Sequence, residues 1–259
     1  MVYFSICKKT RFLQKRLLRP ALAVGNTKTS RGEQDMWKKK KIKDRVLPAY
    51  TRGEEIFNMV SHIVGGAVGV ATLALGIVIA ALHGSVCGVL CSVMFGVSMT
   101  ALYTVSSIYH GLPVGGGKKV FRVLDHCTIY FLIAGTYTPI LLCALRPAHP
   151  VAAWVTFGVV WGLAVLAITL NAIDLSAYRL FSMICYVGMG WAIVFTIRQT
   201  FLALGLGGFI LLLSGGIAYT VGIFFYQAGK QRKYFHSIFH LFALAGSVTH
   251  ALCILLYVL

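Results

Sequence analysis

The sequence predicts an all-α, polytopic membrane protein with seven transmembrane helices, and three observations favour this class. Hydrophobic residues make up 58% of the 259 residues, whereas charged residues make up only 12%. Soluble globular domains carry about 25% charged residues, so a water-soluble fold with a polar coat is excluded. The mean hydropathy is +0.79, and long apolar stretches follow one another from residue 54 onward.

Residues 1–53 are predicted to form a basic, disordered cytoplasmic tail that precedes a seven-helix transmembrane domain at 54–259. The tail holds 15 of the 24 lysines and arginines and lacks a sustained apolar run. Its run of four lysines at 38–41 is expected to contact anionic lipid headgroups. Because most of the net charge of +17 belongs to this tail, it does not indicate a nucleic-acid-binding domain, and we expect no nucleic-acid partner.

The apolar stretches define seven spans, each of which reaches the roughly 20 residues that a helix needs to cross the bilayer. The spans must be helical because unpaired backbone groups are too costly in lipid. Gly65 and Gly69 should let the first span approach a neighbour closely, and Pro139 should kink the third. The predicted spans are 56–82, 86–111, 120–144, 151–171, 177–197, 203–227 and 235–258.

Loop charges predict a cytoplasmic N-terminus and an outside C-terminus, because lysine and arginine accumulate on the cytoplasmic side of membrane proteins. The tail and alternate loops place 22 basic residues on one side, and only Arg146 and Arg198 lie on the other. We therefore expect a multi-pass protein of the cell membrane.

Polar side chains inside the spans concentrate at the predicted cytoplasmic ends of the helices. Ionisable residues within a membrane are costly and usually mark a functional site. The residues that share this depth are His62, Ser106, His110, Asp125, His126, His236 and His240.

The histidines have the spacing of a metal site. His236 and His240 lie four residues apart on one helical face, and this spacing lets two imidazoles bind one ion. With His110 as a third ligand, three histidines and an open position describe a catalytic zinc site. Zinc lowers the pKa of a bound water to about 7, and Asp125 could accept the proton of that water.

The sequence leaves open more than one role for the histidine pair and for the polar residues near it. The pair of histidines taken by itself could be structural, and Ser106 could hydrogen-bond to the carbonyl four residues earlier instead of orienting water. We assign His62 and His126 to packing or to orienting the ligands from behind, rather than to the ligand set. The seven cysteines occur singly with no C-x-x-C pair, so no disulfide or zinc-ribbon framework is predicted.

Four segments together resemble a known family. They are Ser106-Ser-Ile-Tyr-His110, the pair Asp125-His126, Ala134-Gly-Thr-Tyr-Thr-Pro139 and His236-Ser-Ile-Phe-His240. The combined pattern resembles the hemolysin III branch of the progestin and adipoQ receptor family over nearly all of 54–259. The resemblance implies a seven-helix fold, zinc held by His110, His236 and His240, and Asp125 and Ser106 beside the metal.

Three functional hypotheses follow from the residues and the resemblance. The first is a zinc-dependent hydrolase of a lipid amide or ester that enters from the bilayer, as the resemblance to ceramidases implies. The second is a pore-forming, cytolytic protein in which zinc is structural, as the hemolysin name implies. The third is a receptor-like membrane-homeostasis protein without turnover.

Overall fold

A computed structural model describes residues 45–229 and 232–259. Within these two ranges the regular secondary structure is helical, and no strands occur. This outcome confirms the all-α membrane fold. The predicted lysine contact at 38–41 and most of the predicted tail lie outside the described residues. In chain order the helices are α1 (Arg52–Leu82), α2 (Val86–Gly111), α3 (Gly116–Pro139), α4 (Pro150–Asp174), α5 (Arg179–Gly190), α6 (Ile197–Ala228) and α7 (Phe235–Tyr257).

Six segments of the described chain are long and apolar enough to cross a membrane. The fifth, Arg179–Ala228, has 50 residues and covers both the fifth and the sixth predicted span. A straight helix of this length would measure about 75 Å, far more than the roughly 30 Å of hydrocarbon. The segment is interrupted by a 3₁₀ stretch at Ala192–Thr196 and by Gly205, whose φ of 65° favours glycine. Seven crossings therefore stay a prediction, as does the orientation of the termini.

The first helix begins earlier than the apolar pattern indicates because polar residues cap it. Thr51 Oγ1 accepts a hydrogen bond from the backbone N–H of Glu54, and the Glu54 carboxylate accepts one from the Thr51 N–H. This capping box satisfies two N–H groups that a helix start leaves unpaired. Glu54 also accepts a hydrogen bond from the N–H of Tyr234 at 2.7 Å, so it links the start of α1 to the residue before α7.

The third helix changes its hydrogen-bonding pattern at Pro139. Proline lacks an N–H group, and the chain continues from this residue as a π-helical segment, Ile140–Leu145. The N–H of Arg146 then bonds to the carbonyl of Leu141, five residues earlier, at 2.8 Å. At Pro139, where a kink is predicted, the chain thus continues as a helix with a changed hydrogen-bonding pattern.

Two buried clusters hold the bundle together. One lies among α3, α4 and α5 around Tyr130, Leu141 and Val160, and the other joins α2, α3, α6 and α7 around Phe95 and Ile254. Large apolar side chains such as Phe195 cover much of the outer surface. Such a surface suits contact with lipid tails rather than water.

The α1–α2 contact depends on small residues, as the sequence predicts. A Cβ added to Gly65 would overlap the ring of Tyr103, and one added to Gly69 would meet the backbone of Thr100 at 3.0 Å. Tyr103 cannot easily move aside, because it is fully buried and its hydroxyl donates a hydrogen bond to Ser247 at 2.7 Å.

We expect Gly65→Ala to lower the free energy of unfolding in detergent by about 1–3 kcal/mol, the usual cost of overpacking. Gly66→Ala is the matched control, since its added Cβ would have its nearest neighbours at 3.9 Å and alanine favours a helix over glycine by up to about 1 kcal/mol. Denaturant unfolding of the two variants checks this, and equal stability would contradict the close α1–α2 packing.

Candidate metal centre

The predicted site residues meet at one end of the bundle. There α1 begins, α2 ends, α3 begins and α7 begins, so four helix termini surround one volume. This arrangement brings residues that are far apart in the chain within a few ångströms of one another.

Three imidazoles form the centre of this end. The ring centroids of His110 and His236 are 5.6 Å apart, those of His110 and His240 are 5.1 Å apart, and those of His236 and His240 are 4.4 Å apart. One ring nitrogen from each residue lies within 4.8 Å of the other two. His110 and His240 are buried, and His236 is partly buried. The structure therefore brings together the three residues that the sequence selected as ligands.

A carboxylate orients His110. Glu55 Oε2 lies 2.7 Å from His110 Nδ1, and the Nζ atom of buried Lys118 lies 2.8 Å from Glu55 Oε1. An N–H at Nδ1 that donates to Glu55 leaves the lone pair of Nε2 available. Carboxylate–histidine pairs of this kind commonly fix the orientation of metal ligands.

A fourth histidine orients His240. His62 Nε2 lies 2.5 Å from His240 Nδ1, so His62 on α1 contacts one of the three imidazoles. The third ring, that of His236, stacks on Tyr50 with the centroids 4.9 Å apart. Each of the three imidazoles is thus held by a neighbour on another part of the chain.

The donor set fits a metal ion. His110 Nε2 and His240 Nε2 are buried and have no hydrogen-bond partner within the described ranges, although buried polar atoms are normally paired. A cation between the rings would satisfy both nitrogens. Imidazole nitrogens suit Zn, Cu, Fe and Ni, so the geometry supports a candidate metal group without selecting the element.

The structure brings Asp125, Ser106 and His126 to a cavity that His236 and His240 also line. Ser106 Oγ is buried without a hydrogen-bond partner among the residues described, so the alternative bond to the carbonyl four residues earlier is not formed. His126 Nδ1 bonds to the carbonyl of Arg122 at 2.8 Å and lies 3.6 Å from Asp125 Oδ2. His126 thus lies beside Asp125, and a backbone carbonyl of its own helix, α3, holds its ring.

The cavity extends from the histidines into the bundle. It has a volume of about 160 Å³ and a mostly apolar lining. Both His236 and His250 line it, and their separation of fourteen residues on α7 corresponds to about 21 Å. His250 itself is occupied by a contact of its Nε2 with the carbonyl of Leu212 at 3.0 Å. The site therefore has a polar end and a long apolar end.

The sequence alone does not identify three residues that support the histidines, namely Glu55, Lys118 and Tyr50. Two acidic residues at the start of an apolar span are a usable signal, because charge there requires a partner. The sequence analysis counted Lys118 only as a loop charge, yet it is 3% exposed. No spacing rule connects Tyr50 to His236, since their contact depends on the tertiary fold.

These features define the class of protein: a multi-pass helical membrane protein with a group of three histidines among its helix ends. The family model described as "Haemolysin-III related" matches residues 50–251. The chain belongs to this family, and its relatives support the hemolysin III branch of the progestin and adipoQ receptor family.

Three relatives illustrate the similarity. The chain is 39% identical to Hemolysin-3 of Bacillus cereus over 206 residues, which cover 80% of this chain and 92% of that protein. It is 35% identical to the Hemolysin-3 homolog of Bacillus subtilis (strain 168) over 208 residues, 80% of this chain and 96% of the relative. A more distant relative is the human Monocyte to macrophage differentiation factor, which is 26% identical over 167 residues. The match covers 61% of this chain and 66% of that protein.

If the three histidines bind a metal ion, Glu55→Ala should weaken that binding about 10–100-fold, because loss of the partner of a ligating imidazole has this effect on metal affinity. Lys118→Met is the matched control, since it removes the ion pair with Glu55 and leaves the Glu55–His110 contact. Competition titration against a fluorescent chelator measures the metal affinity of each purified variant. Equal losses in the two variants would show that folding, not imidazole orientation, is affected.

Proposed function

We propose that this protein is a zinc-dependent hydrolase that cleaves a lipid amide or ester. The observation that carries the proposal is one cavity that joins His236 and His240, the polar pair Asp125 and Ser106, and a long apolar extension. A reaction centre at the polar end and a hydrocarbon chain along the apolar end would fit this division.

The three-histidine group supports the choice of metal centre. A bound zinc ion would supply Lewis acidity and would lower the pKa of water to about 7. Glu55 and His62 would hold His110 and His240 in one orientation, so little reorganisation is needed when charge develops. The zinc assignment rests on the imidazole donor set and on the family resemblance.

Asp125 and Ser106 are the residues that would move and orient protons. An Asp125 carboxylate oxygen would accept a proton from the attacking water and pass it to the leaving nitrogen or oxygen. The carbon–nitrogen or carbon–oxygen bond then breaks, which yields a fatty acid and an amine or an alcohol. The unpaired hydroxyl of Ser106 would donate to the developing oxyanion or orient the water.

The substrate class follows from the lining of the cavity. The mostly apolar lining, which includes residues of α7 from His236 to His250, suits a hydrocarbon chain better than a polar solute, and the substrate would enter sideways from the bilayer. With the cytoplasmic N-terminus that the loop charges predict, the proposed reaction would take place near the cytoplasmic face of the cell membrane.

Asp125→Asn should lower hydrolysis of a lipid amide or ester about 10²–10⁴-fold, the usual contribution of a positioned proton acceptor, while zinc content is unchanged. The matched control is Asp174→Asn, because Asp174 bonds to the N–H groups of Ser176 and Ala177 in the turn after α4. Turnover by purified protein over a panel of lipid amides and esters, with elemental analysis, checks this. Equal turnover in Asp125→Asn and the wild type would overturn the assignment.

Ile133→Trp should narrow the cavity and reduce turnover of long-chain substrates more than that of short-chain ones. Ile133 lines the cavity, whereas Leu124 on the same helix is exposed, so Leu124→Trp is the control. The ratio of kcat/KM values across an acyl-chain series measures the effect. An equal loss at every chain length would argue against an acyl chain in this cavity.

Membrane permeabilisation is the second candidate, because two relatives carry the name Hemolysin-3. Dye release from liposomes that contain the purified protein separates the candidates. Release that persists in Asp125→Asn, together with no turnover by the wild type, would favour the pore. Neither turnover nor release would favour a receptor-like role without chemistry.

A further inference from the structure

Three cysteines form a cluster at the end of the α2–α3 pair that lies away from the histidines. Cys87 and Cys91 occupy the first turns of α2, and Cys143 lies in the π-helical segment that follows α3. Cys91 is buried, and Cys87 and Cys143 are partly buried. We propose that these three residues form a second metal site, which binds a thiophilic cation such as Zn²⁺ or Cu⁺ through three thiolates.

The helix geometry places the three sulfur atoms close to one another. Cys87 and Cys91 are four residues apart, so they share a helical face. Cys143 reaches that face from the segment in which the helix is widened after Pro139. Short π-helical turns occur frequently at functional sites, and this one carries the third ligand.

The distances between the sulfurs fit a single central ion. The Sγ atom of Cys87 lies 4.0 Å from that of Cys91 and 3.9 Å from that of Cys143, and all three sulfurs lie within 4.8 Å of one another. The centre of an equilateral triangle with sides of about 4.0 Å is about 2.3 Å from each corner, which equals a Zn–S bond. The cluster therefore needs little movement to bind an ion.

The surroundings favour a cation held by thiolates. Arg146 Nη2 lies 3.8 Å from Cys87 Sγ, so a guanidinium offsets part of the negative charge that three thiolates bring. Soft thiolate ligands select Zn²⁺ and Cu⁺ over hard cations such as Mg²⁺. Binding releases the thiol protons to solvent and changes no oxidation state, so no oxidant or reductant is required.

The cysteine site is separate from the three-histidine group. Cys87 precedes His110 by 23 residues on α2, which corresponds to about 35 Å along the helix. The two groups therefore bind or lose metal independently. The proposal does not rest on the proposed hydrolase function.

Cobalt titration of the reduced, full-length protein in detergent tests the proposal, because only a thiolate–metal bond gives the intense near-ultraviolet charge-transfer band. We expect a saturable band in the wild type, with an amplitude that corresponds to three thiolate–cobalt bonds. Cys87→Ser and Cys143→Ser should each weaken binding more than the roughly 10–100-fold that loss of an orienting partner costs. Cys185→Ser, a buried cysteine on α5, is the matched control and should keep the band.

Competition with Zn²⁺ and with Cu⁺ on the same sample then identifies the preferred ion. Absence of the band in reduced wild type, or an unchanged band in the variant that lacks all three cysteines, would overturn the proposal. A disulfide between two of these residues in protein isolated from membranes without reductant, found by mass spectrometry, would also overturn it. Gel filtration of each variant excludes misfolding as the cause of a lost band.

Discussion

The requirement that polar groups inside a bilayer find partners within the protein determines how this site is built. Lipid tails cannot hydrogen-bond, so each imidazole must be paired or must hold a ligand. Glu55 and His62 occupy the Nδ1 atoms of His110 and His240. The Nε2 atoms remain buried without a partner among the residues described. These two unpaired atoms belong to a group in which each of the three rings has a nitrogen within 4.8 Å of the others, and this combination makes the group a candidate metal centre.

The fold could be predicted closely where a span is an uninterrupted apolar run. The second span, predicted at 86–111, forms Val86–Gly111, because the apolar run coincides with the helix and the Ser85 side chain caps its start by accepting a hydrogen bond from the Gly88 N–H. The start of α1 lies at Arg52 rather than 56, since the Thr51–Glu54 capping box extends the helix into polar sequence. The fifth and sixth predicted spans lie in one long segment, whose interruption at Gly205 depends on a backbone angle that hydropathy does not report.

The site could be predicted where its members are related by helical spacing. His236 and His240 are recognisable as a pair, and His62, Ser106, His110 and Asp125 are recognisable by their common depth. Contacts between helices carry no such signal, so the roles of Glu55, Lys118 and Tyr50 become apparent only in the tertiary structure. The cysteines illustrate the same limit. No C-x-x-C motif marks them, whereas Cys87 and Cys91 have i,i+4 spacing and Cys143 joins them across a helix pair.

The two candidate metal groups differ in ways that follow from their ligands and their neighbours. The histidine group has imidazole donors, and His236 and His240 line a cavity that Asp125 also lines, so an ion there would remain accessible to a reactant. In the cysteine group three thiolates would more than neutralise the cation, and the nearby guanidinium would offset part of the excess negative charge, so a soft ion would be satisfied there without substrate. A cation at the histidines is therefore suited to chemistry. One at the cysteines would instead clamp α2 to the π-helical segment that follows α3, because its ligands come from both.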